Sequence, residues 1–424
     1  MKHYSFLLIL FMALCLSLGN GNKAQAGSLQ TRGVWVSCFE FEELGLKDKT
    51  EAQFRANANK IFATIRANGC NTVYFHVRAY DDAIYPSSVA GFSKYISSDG
   101  KAPGYDPLKI LVSLAHSHKL KIHAWMNPYR VSSTKILDPA SETTTVRIVN
   151  QVKEIINRYA VDGIHFDDYF YPTNIKKYKK VPAATRRQNV NVMVRKVYQA
   201  VKQKKKSLKF GISPAGDITY CEKIGADVRT WLSQSGYVDY IIPQIYWSNN
   251  YIMSGKKTAL FNERLAKWRQ INKRDVPMYV GLALYKTGYS LKEDPGWKKS
   301  SGNIASQIRL IRSGNTEGYV FFAYKDLIRS GAAKELKKYY KAIGKIMLNK
   351  KKKTLRTGKK YRLKASFWPA NLHGKIKWKS SNKKIASISK KGIVKAKKKG
   401  TVRIYAIYGT MKKSCKIIVK KKRK

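Results

Sequence analysis

One rhythm constrains this chain more than anything else in it. A short apolar segment is followed by a stretch with apolar residues at helical spacing, and the pair recurs eight times between about residues 30 and 342. The expected strands are 32–38, 71–78, 121–127, 163–168, 208–213, 238–246, 277–284 and 318–324. The expected helices are 54–68, 107–118, 145–159, 188–202, 228–235, 260–270, 303–313 and 332–342. In the first helix Phe54, Ala58, Ile61, Phe62 and Ile65 share one face, and Gly69 stops it. The strands are near-continuous apolar runs rather than alternating ones, as expected of parallel strands covered by helices. Eight strand–helix units in this length fit one (β/α)8 TIM barrel. An open doubly wound sheet is the competing fold, but no Gly-rich phosphate loop follows the first strand.

Barrels of this kind build their sites at the C-terminal ends of the strands, and polar and aromatic residues gather there. The second strand ends in Arg78, Tyr80, Asp81 and Asp82. The third carries His123 and Trp125 and ends in Asn127, Tyr129 and Arg130. The fourth ends in Asp167 and Asp168, and Asp217 and Tyr220 follow the fifth. The sixth delivers Gln244, Tyr246 and Trp247, the seventh Tyr285 and Lys286, the eighth Tyr324 and Lys325. Aromatic faces suit sugar rings, and the polar groups suit hydroxyls and amides.

The adjacent carboxylates are the candidate catalytic pair, because glycoside hydrolysis uses one carboxyl to protonate the leaving oxygen and another to stabilise or activate. Adjacent strand residues point to opposite faces, so both reach one ligand only if the backbone turns past the strand end. A pair of this kind can also simply cap a helix. We assign Asp168 as general acid and Asp167 as the neighbour that raises its pKa or stabilises the cationic transition state. A structural ion pair between Asp167 and Arg78 or Arg130 is the competing reading. Candidate substrate contacts are Arg78, His123, Trp125, Asn127, Arg130, Asp217, Gln244, Tyr246, Trp247 and Tyr324. Asp162 and Asp239 sit at strand starts and His165 lies mid-strand, so these three are expected to be structural. No His/Cys/Asp spacing suggests a metal site, and no cofactor is expected.

Charge adds a partner. The chain has 83 Lys+Arg against 26 Asp+Glu, and residues 336–424 hold 33 basic residues and no acid. Such a field favours a polyanion. The N-terminus decides which kind. Lys2 and His3 precede an apolar run from Phe6 to Leu18, and Ala24-Gln25-Ala26 gives a small-x-small cleavage pattern. The run is too short to span a membrane. Residues 1–26 therefore read as an export signal, which leaves a secreted, cell-wall-associated protein with no membrane insertion after cleavage. Envelope polymers, not nucleic acid, are the expected anionic partner, and a monomer is expected. Cys38, Cys70, Cys221 and Cys415 are scattered and read as buried free thiols.

Several motifs in one order resemble the glycosyl-hydrolase-like family 10. They are Arg32-Gly-Val-Trp-Val-Ser37, Val77-Arg78 with 82–87, Pro103-Gly-Tyr-Asp-Pro107, His123-Ala-Trp-Met-Asn-Pro-Tyr-Arg-Val131, Asp162-Gly-Ile-His-Phe-Asp-Asp168 and Pro243-Gln-Ile-Tyr-Trp247. The resemblance covers about residues 30–340. It implies a TIM barrel, glycoside hydrolysis and bacterial cell-wall glycan as substrate class. Asp162-Gly163, Tyr171-Pro172 and Tyr246 are also similar to chitinase-type barrels. There the general acid is a Glu near the position of Tyr169, absent here, and residues like Gln244 and Tyr246 orient an acetamido group.

The tail, from Trp378-Lys-Ser-Ser-Asn382 to the alternating Val402, Ile404 and Ala406, resembles a bacterial Ig-like domain of group 2. The expected organisation is signal 1–26, barrel 27–343 and a small all-β Ig-like sandwich 344–424 that holds an anionic wall polymer or acts as a spacer. The expected function is a secreted glycoside hydrolase on envelope glycan, peptidoglycan or a related N-acetylhexosamine polymer. The alternative is a non-catalytic wall-binding or adhesion protein with a degenerate barrel.

Overall fold

The structure, a computed structural model, describes residues 31–167, 170–172, 176–298, 302–314 and 316–421. The expected signal segment and Asp168 lie outside these residues. Eight strands form one parallel sheet: β1 Thr31–Val36, β2 Thr72–Arg78, β3 Lys121–Met126, β4 Gly163–Phe166, β5 Lys209–Ile212, β6 Tyr240–Ile241, β7 Tyr279–Leu282 and β8 Gly318–Phe321. Neighbours in space are neighbours in sequence, and β8 pairs with β1. Parallel bridges from Ile241 to Met278 and from Gln244 to Gly281 join β6 to β7, so the ring closes. The chain is a (β/α)8 barrel.

The helices between the strands are α1 Glu51–Ala67, α2 Pro107–Ser117, α3 Glu142–Arg158, α4 Ala183–Lys204, α5 Ile218–Lys223, α6 Val228–Ser233, α7 Leu260–Ile271, α8 Asn303–Arg312 and α9 Ala333–Ile343. Local chemistry sets several starts. Thr50 and Gln53 form a capping box on α1, and Asp106 caps α2 ahead of Pro107. α4 begins five residues earlier than its apolar pattern, directly after Pro182. The sixth strand is shorter than expected, because Pro243 lacks the N–H that a ladder needs.

Two apolar layers result. The outer layer fills the space between strands and helices. The inner layer fills the barrel and is aromatic: Trp35, Tyr74, Trp125 and Tyr240, with Ile242 and Val320. Glycines make room for it. A Cβ on Gly211 would collide with the Tyr240 ring, and one on Gly163 would lie 2.5 Å from the His123 ring. A polar chain runs through this core. Trp35 Nε1 donates to His165 Nε2 at 3.1 Å, His165 Nδ1 meets the Tyr240 hydroxyl at 3.2 Å, and that hydroxyl meets His123 Nδ1 at 2.9 Å. Burial holds His123 down to about 4 and His165 well below its ordinary value. Both rings are therefore neutral spacers at neutral pH.

Residues 345–421 form the all-β unit. Strands β9 Lys345–Leu348, β10 Lys352–Arg356, β11 Lys360–Arg362, β12 Ala365–Trp368, β13 Lys377–Ser380, β14 Ala386–Ile388, β15 Ile393–Ala396, β16 Gly400–Tyr408 and β17 Met411–Lys420 make three sheets. Their orders are β10-β17-β16-β13, β11-β15-β14 and β9-β12. Inward residues such as Leu363, Val394, Ile404, Cys415 and Ile417 form a separate core. This unit is seated on the N-terminal end of the barrel. Arg32 lies over the Trp368 ring at 4.8 Å, Gly69 meets Pro369 at 3.0 Å and Ile343 at 3.1 Å, and Leu372, Phe367 and Met411 join the barrel's outer core.

Candidate active site

At the other end of the barrel, where the strands finish, is a cavity of about 190 Å³. Seven of the eight strands supply its walls, either directly or from the residues just past them. Trp35, Ser37 and Phe39 come from β1 and its continuation, His76 from β2, and Trp125, Asn127 and Arg130 from β3 and beyond. Asp167 follows β4, Ser213 follows β5, Gln244 and Tyr246 follow β6, and Phe322 follows β8. Tyr285, past β7, completes the rim.

The strand pleat explains the choice. Residues two apart share a face, so His123, Trp125 and Asn127 climb one inward file, and His165 and Asp167 climb the next. Asp167 is buried, and among the described residues it is the carboxylate that lines the cavity. His76 stacks on Trp125 with ring centroids 3.8 Å apart and planes at 8°. The Cys38 N–H donates to His76 Nδ1 at 3.4 Å. Burial pushes the His76 ring down to about 3, so it is a neutral hydrogen-bonding group. Gln244 Nε2 donates to the Ser213 carbonyl at 3.0 Å, and Lys286 Nζ donates to the Tyr246 carbonyl at 2.7 Å. The Arg130 guanidinium rests over Tyr80 at 4.9 Å. Tyr246, Tyr285 and Phe322 pack edge to face or tilted around one side.

Behind Ser37 lies Glu40. Its carboxylate accepts from Ser37 N and from Lys325 N, each at 2.7 Å, and so ties the β1 loop to the segment after β8. Burial raises this carboxyl to about 7, against the lowering effect of those two amides. It is a clamp on the rim rather than a wall of the cavity.

Of the contact residues expected from sequence, Trp125, Asn127, Arg130, Gln244 and Tyr246 meet in the cavity, together with Asp167. The others lie elsewhere. A register shift between His76 and Arg78 breaks the β2 pleat, so Arg78 pairs with Met126. Its guanidinium binds Asp81 at 2.8 Å and the Asn127 carbonyl, outside the cavity lining. His123 is one layer deeper, in the barrel core. Asp217 caps α5 and pairs with Arg264 at 2.7 Å. Trp247 lies beneath Arg264, and Tyr324 packs in the outer core. Ser37, Phe39, His76, Ser213 and Phe322 line the cavity without having been singled out. For His76 the signal was present: it lies on β2 opposite Trp125, on the same face. Among the described residues no group of three or more His, Cys, Asp or Glu is placed to hold a metal ion.

A closed parallel barrel with an aromatic and polar cavity at its strand ends is the architecture of a glycoside hydrolase-like protein. Residues 30–145 and 131–299 match the family described as Glycosyl hydrolase-like 10, and the chain belongs to that family. Residues 342–419 match the bacterial Ig-like domain of group 2. Glycosyl hydrolase DigH of Escherichia coli strain K12 is 32% identical over 353 residues, covering 66% of this chain and 78% of that protein. Glycosyl hydrolase YngK of Bacillus subtilis is 29% identical over 360 residues, covering 70% of this chain and 69% of that protein. In fold, the chain is similar to the PgaB glycoside hydrolase domain of Bordetella bronchiseptica, with a TM-score of 0.52 and 12% identity over 72% of this chain and 98% of that one.

Proposed function

We propose that the protein is an exported glycoside hydrolase acting on envelope glycan, peptidoglycan or a related N-acetylhexosamine polymer. The observation that carries the reading is the buried Asp167 carboxylate in the wall of an aromatic-lined cavity at the strand ends. A carboxylate in that position stabilises an oxocarbenium-like transition state as positive charge develops on the sugar. Asp168 is the proposed general acid, and its proton goes to the leaving oxygen. Gln244 and Tyr246 orient the reacting sugar. Export rests on the charged start, apolar run and Ala24-Gln25-Ala26 at the N-terminus.

The Ig-like domain is the proposed wall anchor. An open groove of about 860 Å³ on it is lined by Arg362, Lys364, Lys375, Lys390 and Lys391, with Phe367 and Trp378. No acid anywhere in residues 336–424 competes with an anionic ligand for these side chains. An anionic polyol-phosphate or polysaccharide suits both the charge and the rings.

The test is incubation of the whole protein with purified peptidoglycan, with and without stem peptides, and with chitin oligomers, followed by mass analysis. New reducing ends that disappear in Asp167→Asn and Asp168→Asn support the hydrolase. Tight glycan binding without any product, in the wild type, would replace it with the wall-binding reading.

A further inference from the structure

Four side-chain atoms around the cavity are buried and meet no hydrogen-bond partner among the described residues: His76 Nε2, Trp125 Nε1, Asn127 Oδ1 and Ser213 Oγ. They come from three strands and converge on one space. A buried polar atom without a partner destabilises a fold, and native proteins hold few of them. Four on a single wall are not a packing accident. Their hydrogen-bonding senses are also fixed. Trp125 Nε1 can only donate. His76 Nδ1 accepts from the Cys38 N–H, so the ring proton sits on Nε2, which donates. Asn127 Oδ1 accepts, and Ser213 Oγ does either. The complement of this set carries acceptors and donors side by side, as sugar hydroxyls and acetamido groups do.

Size narrows it further. About 190 Å³ lies below the roughly 300–1,000 Å³ of drug-sized sites and leaves room for one pyranose ring. Charge narrows it again, because the buried Asp167 carboxylate in the wall repels an acidic ring.

We propose that this cavity is a subsite for one uncharged sugar ring, held by His76, Trp125, Asn127 and Ser213 through its hydroxyl or acetamido groups. The inference rests on the carbohydrate reading of the site and adds the residues that select the ring. His76 and Ser213 are substrate-positioning groups and take no part in proton transfer. The neutral state of the His76 ring, pushed down to about 3 by burial, agrees with a pure hydrogen-bond donor.

The test separates binding from fold. Ser213→Ala removes only an orphaned hydroxyl, since the Ser213 N–H still donates to the Phe166 carbonyl at 2.8 Å. His76→Phe keeps an aromatic ring against Trp125 and removes the donor. The full-length protein is titrated with the methyl β-glycosides of N-acetylglucosamine, glucose and glucuronic acid, following tryptophan fluorescence. At least one neutral glycoside should saturate, with the uronide weaker. Each variant should bind that glycoside about 3–10-fold more weakly, the span of one net hydrogen bond. The melting temperature of Ser213→Ala should be unchanged or higher, because an unsatisfied group has gone. Binding unchanged in both variants would overturn the subsite while leaving glycan hydrolysis intact. So would a uronide that binds best, or the absence of saturation by any glycoside when the polymer is still cleaved. A marked fall in the melting temperature of Ser213→Ala would show a structural role and also overturn it.

Discussion

Acid should unfold this barrel well above the pH at which ordinary carboxylates titrate. Three buried histidines set the effect. Burial holds His76 at about 3 and His123 at about 4, and His165 lies well below 6.5. Once unfolded, each would take up a proton below about pH 6.5. Their contribution to stability is fully present above that pH and is lost as pH falls towards the folded values. Glu40 works the other way. Its folded value of about 7 lies above the unfolded 4.5, so in this window the native state holds a proton that the unfolded chain lacks. Three protons taken up on unfolding and one released leave a net of two. Each is worth about 1.4 kcal/mol per pH unit, so stability should fall by roughly 3 kcal/mol per unit between pH 6 and 4.5. Over that interval the loss is about 4 kcal/mol, or roughly 5 °C in melting temperature for a chain of this size. The other carboxyls with lowered values, such as that of Glu154, lose their contribution only below this window. Melting followed by circular dichroism from pH 7 to 4.5 measures the slope, and His123→Gln should reduce it by about one proton. A melting temperature flat across that range, or a slope untouched by the substitution, would refute the claim that these rings stay neutral in the native barrel.

Removal of residues 345–424 should lower the melting temperature of the remaining barrel, because Trp368, Pro369 and Leu372 cover Arg32, Gly69 and Ile343; calorimetry of the truncated chain tests this. Trp368→Ala should cost about 2–4 kcal/mol in urea unfolding of the whole protein, from lost packing. Asp168→Asn should slow substrates with poor leaving groups by roughly 10²–10⁴-fold and activated aryl glycosides much less. Asp167→Asn should slow both kinds alike, since charge stabilisation does not depend on the leaving group. Retention on anionic walls should weaken steeply between low and high salt in sedimentation assays, as exposed charges are screened over about 8–10 Å at physiological ionic strength.

The barrel was legible because its strands are apolar on both faces and its helices are punctuated by Gly69, Pro107 and capping residues that read without neighbours. The lower accuracy at the sixth strand has a local cause in Pro243, and the missed start of α4 lies in residues 183–187, which are mostly polar. The site was legible in file but not in height. Pleat parity puts His123, Trp125 and Asn127 on one face, yet only packing decides which of them reaches the cavity and which meets Tyr240. Arg78 shows a second limit. A one-residue register shift moved it from the inward file to an ion pair with Asp81, and nothing in the local residues announces that shift. Ser213 is as hard to see, because a lone serine after a strand becomes informative only when its hydroxyl is found without a partner.

The seat of the Ig-like domain on the N-terminal end of the barrel fixes an attitude as well as a contact. Both the interface and the cavity belong to one rigid axis, with the basic surface at its foot and the mouth at its head. A protein standing on a polyanionic layer by its basic foot opens away from that layer. The strand that holds it and the strand that enters it are then separated by at least the barrel's height, on the order of 20 Å. Cleavage under such an arrangement falls on neighbouring polymer, not on the polymer underfoot, so the anchor is not consumed by the activity it positions.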